Sequence, residues 1–266
     1  MPSKSTNTAA AYRRIILIAP LLAGSLLIAI LHTQAHAATE KAINPDEIVE
    51  KADRIRFPVE GFQIDVKITS TRPDQAPRVK EYRILSKGNE RTLLKTTAPA
   101  IDKGNILLMR DQDLWAFLPS LSQPVRLPLA QKLTGEVANG DLARANFAGD
   151  YNATLLRIEE IDNEQYYVLE LKAARRGVTY HRVLYWVNKE NYRPLRAELY
   201  SLSNRLIKTC EYQAYEKVGK EIRPTRLVMT DALKQEHRSV MDYSNMKLRK
   251  LSDKIFTKNY LKKLSK

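Results

Sequence analysis

Residues 114–120, "LWAFLPS", pose the question that decides the fold. In an extended strand Trp115 and Phe117 point one way, Leu114, Ala116 and Leu118 the other, and Pro119 ends the run. Both faces are apolar. A strand of this kind needs cover on its second face as well as its first, from protein or from something the protein carries. With its upstream neighbours it forms "NILLMRDQDLWAFLP", residues 105–119, which reads as a hairpin turning at Asp111 to Asp113.

Outward from this hairpin the two-residue period recurs. Phe62, Ile64, Val66 and Ile68 alternate with Gln63, Asp65 and Lys67, the pattern of a half-buried antiparallel strand. After the turn "RPDQAP" at 72–77, "VKEYRILSKG" and "RTLLKTTAP" predict two more strands joined through Gly88-Asn89. Beyond Asn152 a run of further strands follows from "TLLRIEEI" to "RSVMDYSNMKL", with short connections such as "DNE" and "SLSN" that favour nearest-neighbour pairing. The stretch from Pro119 to Asp150, with its prolines and glycines, predicts a loop carrying small helices at "LAQKLT" and "GDLARAN". Asn44 followed by Pro45-Asp46-Glu47 starts a helix that should run to about Arg56, with Ile48, Val49, Ala52 and Ile55 as its apolar stripe. A last helix is expected from about Asp253 to Leu264, with Phe256, Tyr260 and Leu264 on one face. The fold class is therefore α+β, mostly antiparallel β. About eleven strands are too many to stay flat, so the sheet should curve strongly, with helices against its concave side.

The N-terminal residues are a targeting segment and not part of that fold. Arg13 and Arg14 precede an apolar run from Ile15 to Leu31, and "AHA" at 35–37 has the small-residue pattern of a secretory cleavage site after Ala37. Residues 1–37 are thus expected to be a signal peptide and 38–266 a single domain, exported to the periplasm, with an uncleaved membrane anchor as the competing possibility. The formal charge of +14 includes Lys4, Arg13 and Arg14 and no acid from this segment, so +11 remains on the domain. In an exported protein such a field points to anionic membrane surfaces or acidic partners and away from nucleic acid.

No constellation for catalysis stands out. The domain's two histidines, His181 and His237, fall in predicted strands, and no HExxH, Gly-x-Ser-x-Gly or phosphate-cradling glycine loop is present. Cys210, the single cysteine, lies in the alternating "LIKTCEYQAY" and reads as a core residue. The expectation is a protein that is not an enzyme and has no cofactor and no metal. Apolar strand surface combined with basic charge suits a container for an acyl chain.

The order and spacing of "NILLMRDQDLWAFLPSLSQPVRLPLAQKLTG", "GDL" at 140–142 and "VLYWVNKENYRPLRAELYSLSNRLIKTCEY" resemble the outer-membrane lipoprotein-sorting-protein family, related to the LolA and LolB lipoprotein carriers. The segment "GEVANGDL" from Gly135 to Leu142 departs from that family's longer pattern. The resemblance implies a half-open β-barrel with helices as a lid. It also implies an apolar cavity for lipoprotein acyl chains or other lipid, and a partnership with an inner-membrane transporter, often of the RND type. By the same analogy the acyl chains would lie against Phe62, Ile64, Leu93, Trp115, Phe117, Leu169, Leu184 and Trp186 of a monomer. Docking to an anionic membrane surface or to the transporter would use Arg126, Lys254, Lys258, Lys262 and Lys263. A sensor on the same scaffold, binding a lipoprotein or protein partner without transferring it, is the alternative.

Overall fold

Asn44 opens the described chain by accepting a hydrogen bond from the Asp46 amide at 3.0 Å, and helix α1 (Pro45–Arg56) follows. Proline at the first position, acids in the first turn and arginines in the last match the helix dipole. The computed structural model describes residues 44–88 and 90–264, so the predicted signal peptide and its cleavage after Ala37 lie outside the described residues.

Six strands come next: β1 (Phe62–Arg72), β2 (Gln75–Lys87), β3 (Arg91–Ala98), β4 (Ile106–Arg110), β5 (Asp113–Phe117) and β6 (Val125–Leu127). A small hairpin, β7 (Lys132–Thr134) with β8 (Val137–Ala138), leads into the short helix α2 (Asn139–Ala143). Seven more strands complete the sheet: β9 (Tyr151–Ile161), β10 (Glu164–Ala173), β11 (Arg182–Asn188), β12 (Pro194–Tyr200), β13 (Leu206–Val218), β14 (Glu221–Asp231) and β15 (Arg238–Leu248). A 3-10 turn at Asp253–Phe256 and helix α3 (Lys258–Leu264) end the described chain.

Thirteen strands form one antiparallel sheet in the order β6-β5-β4-β3-β2-β1-β15-β14-β13-β12-β11-β10-β9, where the periodicity predicts about eleven. Two meanders are joined where β1 pairs with β15, so β6 and β9 are the two free edges and the sheet is not closed. Flat, it would measure roughly 55–60 Å across at the usual strand spacing. Instead one side chain, Arg144, donates both to the Asp111 carbonyl oxygen beside β5 and to Asp150 beside β9, which requires strong curvature.

Residues 128–150 cross the concave side from one edge of the sheet to the other. Here the expectation needs correction: "LAQKLT" is not helical, and Lys132–Thr134 pairs with Val137–Ala138 about a turn at Gly135. Gly135 has φ of 52°, and a Cβ there would lie 2.0 Å from Ser70 Oγ. Only glycine lets this turn sit on the sheet.

The C-terminal helix is also not continuous. Thr257 breaks it, and the change of phase buries Phe256 and Leu261 while Tyr260 stays exposed.

Candidate functional site

Cross-strand register assigns every apolar residue to a face. Ile64 pairs with Ile84, Ile84 with Leu94, Leu94 with Leu107 and Leu107 with Ala116, and all five belong to the cluster beneath α1. The adjacent row, Leu85, Leu93, Leu108 and Trp115, therefore points to the convex side. There it packs with Phe117, Ile106, Leu251, Ile255, Phe256 and Leu261.

Of the eight residues proposed from sequence to line a cavity, Phe62, Ile64 and Leu169 face the concave side. Leu93, Trp115 and Phe117 do not: they lie on the convex face beneath the C-terminal segment. Leu184 and Trp186 are convex as well, packed with Tyr166 and Val168. The aromatic pair of "LWAFLPS" is thus outside and Leu114 and Ala116 are inside, because residues 251–264 supply the second cover that the strand needed. Trp115 carries Lys258 Nζ 2.9 Å from its ring centroid, and Trp186 lies under the Arg196 guanidinium at 4.2 Å.

The basic residues proposed for docking are spread over the convex side and the C-terminus. Arg126 is exposed, pairs with Asp113 and sits opposite Trp115 across β5 and β6. Lys254 is exposed and Lys258 covers Trp115. Lys262 and Lys263 lie in α3, and their side chains are outside the described residues.

The concave face is apolar along its length but closed. Helix α1 lies on it and is braced at both ends: Asp46 accepts from the Ala153 amide at 2.9 Å, and Arg223 donates to the carbonyl oxygens of Arg54 and Ile55. Its inward stripe contains charges that sequence did not place there. Asp53 and Arg56 are buried at 4% and 5% exposure, alongside Ile48, Val49 and Ala52, whereas the predicted Ile55 is only half-buried.

These two charges bind the crossing segment to α1. Asp53 Oδ2 accepts from the amides of Phe147 at 2.9 Å and Ala148 at 2.8 Å, and Arg56 donates to Asp53 at 3.2 Å and to the Ala145 carbonyl at 2.6 Å. Burial pushes the Asp53 carboxyl up to about 6, against the pull of Arg56 and the two amides.

Further polar contacts accompany the apolar packing of Leu129, Val137, Leu142 and Phe147 against the sheet. Arg144 pairs with Asp150 and donates to the Asp111 carbonyl in the β4–β5 turn. Tyr180 donates to Asp141 at 2.7 Å, Lys208 donates to the Glu136 carbonyl, and the Glu136 amide donates to Ser239 Oγ at 2.9 Å. A signal for Asp53 and Arg56 exists in sequence, since 48, 52 and 56 fall one turn apart. Lys208 has none, because its partner Glu136 is distant in the chain.

Two small cavities of about 30 Å³ each flank Asp141. That space has room for a water molecule and not for an acyl chain, since ligand pockets run to roughly 300–1,000 Å³. Larger clefts open at one end of the half-barrel, about 830 Å³ beside Val178, Tyr200 and Leu202 and about 460 Å³ beside Arg72, Arg78 and Leu133. Burial pushes the Cys210 thiol up to about 12, which leaves it protonated and a poor nucleophile. Among the described residues no helix is long and apolar enough to cross a membrane.

An open, curved antiparallel sheet whose apolar concave face is capped by one helix and one crossing segment defines a binding-protein scaffold. The comparisons give the family. A LolA superfamily protein from Nitrosomonas europaea is 55% identical, with 82% of this chain and 100% of that chain covered and a TM-score of 0.79. The chain belongs to the LolA superfamily. The same fold recurs in a DUF1329 family protein from Desulfovibrio piger, 22% identical, with 82% and 100% covered and a TM-score of 0.70. It recurs again in a domain named for outer membrane lipoprotein sorting from Vibrio parahaemolyticus, 21% identical, with 82% and 98% covered and a TM-score of 0.70. A family model described as "Uncharacterized protein" matches residues 88–263. No curated protein matches.

Proposed function

We propose that this chain is a periplasmic carrier, exported by cleavage after Ala37, that takes the acyl chains of a lipoprotein or another lipid against the concave face of its sheet. The observation that carries the proposal is a continuous apolar surface, with Phe62, Ile64 and Leu169 on it, whose cover is fastened by buried polar contacts. None of these contacts is a rung between strands, so the cover can move without unpairing the sheet, provided each buried polar group finds water or another partner. Membership of the LolA superfamily supports the same conclusion.

Residues 128–150 and α1 act as the lid in this proposal. Cargo displaces the lid from Ile64, Leu169 and their neighbours, and the two small voids widen into one site. The cargo comes from an inner-membrane transporter, which the monomer meets through an acidic surface facing Arg126, Lys254, Lys258, Lys262 and Lys263. No catalytic step is involved.

Uptake of a fluorescent acyl probe at micromolar concentration tests this function. Ile64→Glu, which puts a charge on the concave face, should abolish uptake, and Trp115→Ala, on the convex face, should leave it. Failure of the wild type to take up any amphiphile would end the proposal. Delivery of bound probe to acceptor liposomes then separates a carrier from a sensor.

A further inference from the structure

The two ends of the half-barrel differ in what their turns carry. One end is built from the loops 73–74, 99–105, 118–124, 174–181, 201–205 and 232–237, as strand directions require. Four of these six loops hold an aliphatic side chain out in water: Ile101 at 91% exposure, Leu121 at 47%, Leu202 at 80% and Leu233 at 77%. At the other end, the turns 111–112, 162–163, 189–193 and 219–220 hold no aliphatic side chain. Val59, Ile222 and Leu248 are exposed there, but they lie outside the hairpin turns.

The exposure of four large aliphatics at one end, three of them almost complete, has no explanation in the fold. None supports a turn or fills the core, and each is held on its own loop, so together they make no contiguous groove for a peptide. Hairpins of adjacent strand pairs stand roughly 10 Å apart, which spaces the tips along an arc.

Basic residues accompany the tips. Lys103 follows Ile101, Arg205 follows Leu202 and Lys234 follows Leu233, with Arg176 in the neighbouring loop. All four are exposed, and none belongs to an ion pair among the described residues. The acids of this end are Asp74, Asp102, Asp231 and Glu236. Asp102 is occupied by Lys80 at 2.8 Å, and Asp231 accepts from the amides of Leu233 and Lys234 at 2.8 Å each. Separate aliphatic tips with cations beside them match the depth profile of a bilayer, where hydrocarbon lies a few ångströms below a layer of phosphates.

We propose that this end of the half-barrel docks on an anionic phospholipid bilayer, with Ile101, Leu121, Leu202 and Leu233 below the headgroups and Lys103, Arg176, Arg205 and Lys234 on lipid phosphates. The clefts of about 830 and 460 Å³ open at the same end and would face the membrane. The docking does not depend on whether the concave face carries cargo.

Co-sedimentation with vesicles tests it, using the chain from Ala38 and phosphatidylethanolamine with phosphatidylglycerol in roughly three-to-one proportion. The wild type should bind these vesicles, bind phosphatidylcholine vesicles less, and lose binding as salt rises. Ile101→Ser, Leu202→Ser and Leu233→Ser should each weaken partitioning about fivefold, and the triple variant about 100-fold. Their thermal midpoints should match the wild type, because the side chains touch little. The double variant Lys217→Gln, Lys220→Gln, at the opposite end, should bind as the wild type does. No binding by the wild type, undiminished binding by the triple variant, or loss of binding only in the lysine double variant would each overturn the proposal.

Discussion

Replacing Asp53 with Asn tests the fastening of the lid through its pH dependence. The Asp53 carboxyl titrates at about 6 in the folded chain, against 3.8 for an unburdened aspartate. Between those values the folded chain holds a proton that the unfolded chain has released, so stability falls as pH rises through 6. One unit of pKa corresponds to about 1.36 kcal/mol, and integrating from pH 7 down to pH 5 gives about 1.3 kcal/mol of added stability for the wild type. Asp53→Asn keeps an oxygen for the Phe147 and Ala148 amides and has nothing to titrate. Urea unfolding at both pH values should show the wild type gaining about 0.5 M in midpoint relative to the variant on acidification. The other carboxylates titrate equally in the two proteins and cancel. If the two respond alike, burial does not dominate at Asp53. If the wild type loses ground at pH 5, the Arg56 pair outweighs burial, and the lid is fastened by charge throughout this range.

Phe256→Ala should cost about 3–5 kcal/mol in urea unfolding, because the side chain is 1% exposed beneath the C-terminal segment and leaves a cavity against Leu108 and Phe117. Acyl-probe uptake should survive this change in the fraction that stays folded, since the convex face is not the site. Gly135→Ala should cost about 2 kcal/mol or more, because its Cβ would fall 2.0 Å from Ser70 Oγ and 2.2 Å from Ser239 Oγ in a backbone conformation that disfavours alanine.

The helix α1, the hairpins and the meander were legible because each depends on neighbours in the chain: a cap at Asn44, a period of two, short turns. Curvature was legible from strand number and from strands apolar on both faces. The direction of that curvature was not. Leu93 and Leu94 are equally apolar, and so are Trp115 and Leu114, so only the distant residues 251–264 determine which of each pair turns inward. The helix expected at "LAQKLT" failed for a similar reason, since the contact of Gly135 with Ser70 and Ser239 forces a turn that local propensity does not favour. Asp53 and Arg56 carry a weak signal as charges on an apolar stripe, and the exposed tips carry another as single aliphatics inside turns such as "IDKGN" at 101–105 and "SLSN" at 201–204. Each gains meaning only when the topology gathers the loops at one end.

The central claim is that the concave face, closed in this structure, is where a hydrocarbon chain goes. Photo-crosslinking with a diazirine-bearing palmitate, followed by mass spectrometry of the labelled peptides, tests it most directly. Adducts should concentrate on the inward residues of β1 and β10, Ile64, Val66, Leu169 and Leu171, together with the lid around Leu142 and Phe147. Adducts confined to the convex face around Trp115 and Trp186, or to the exposed tips alone, would contradict it.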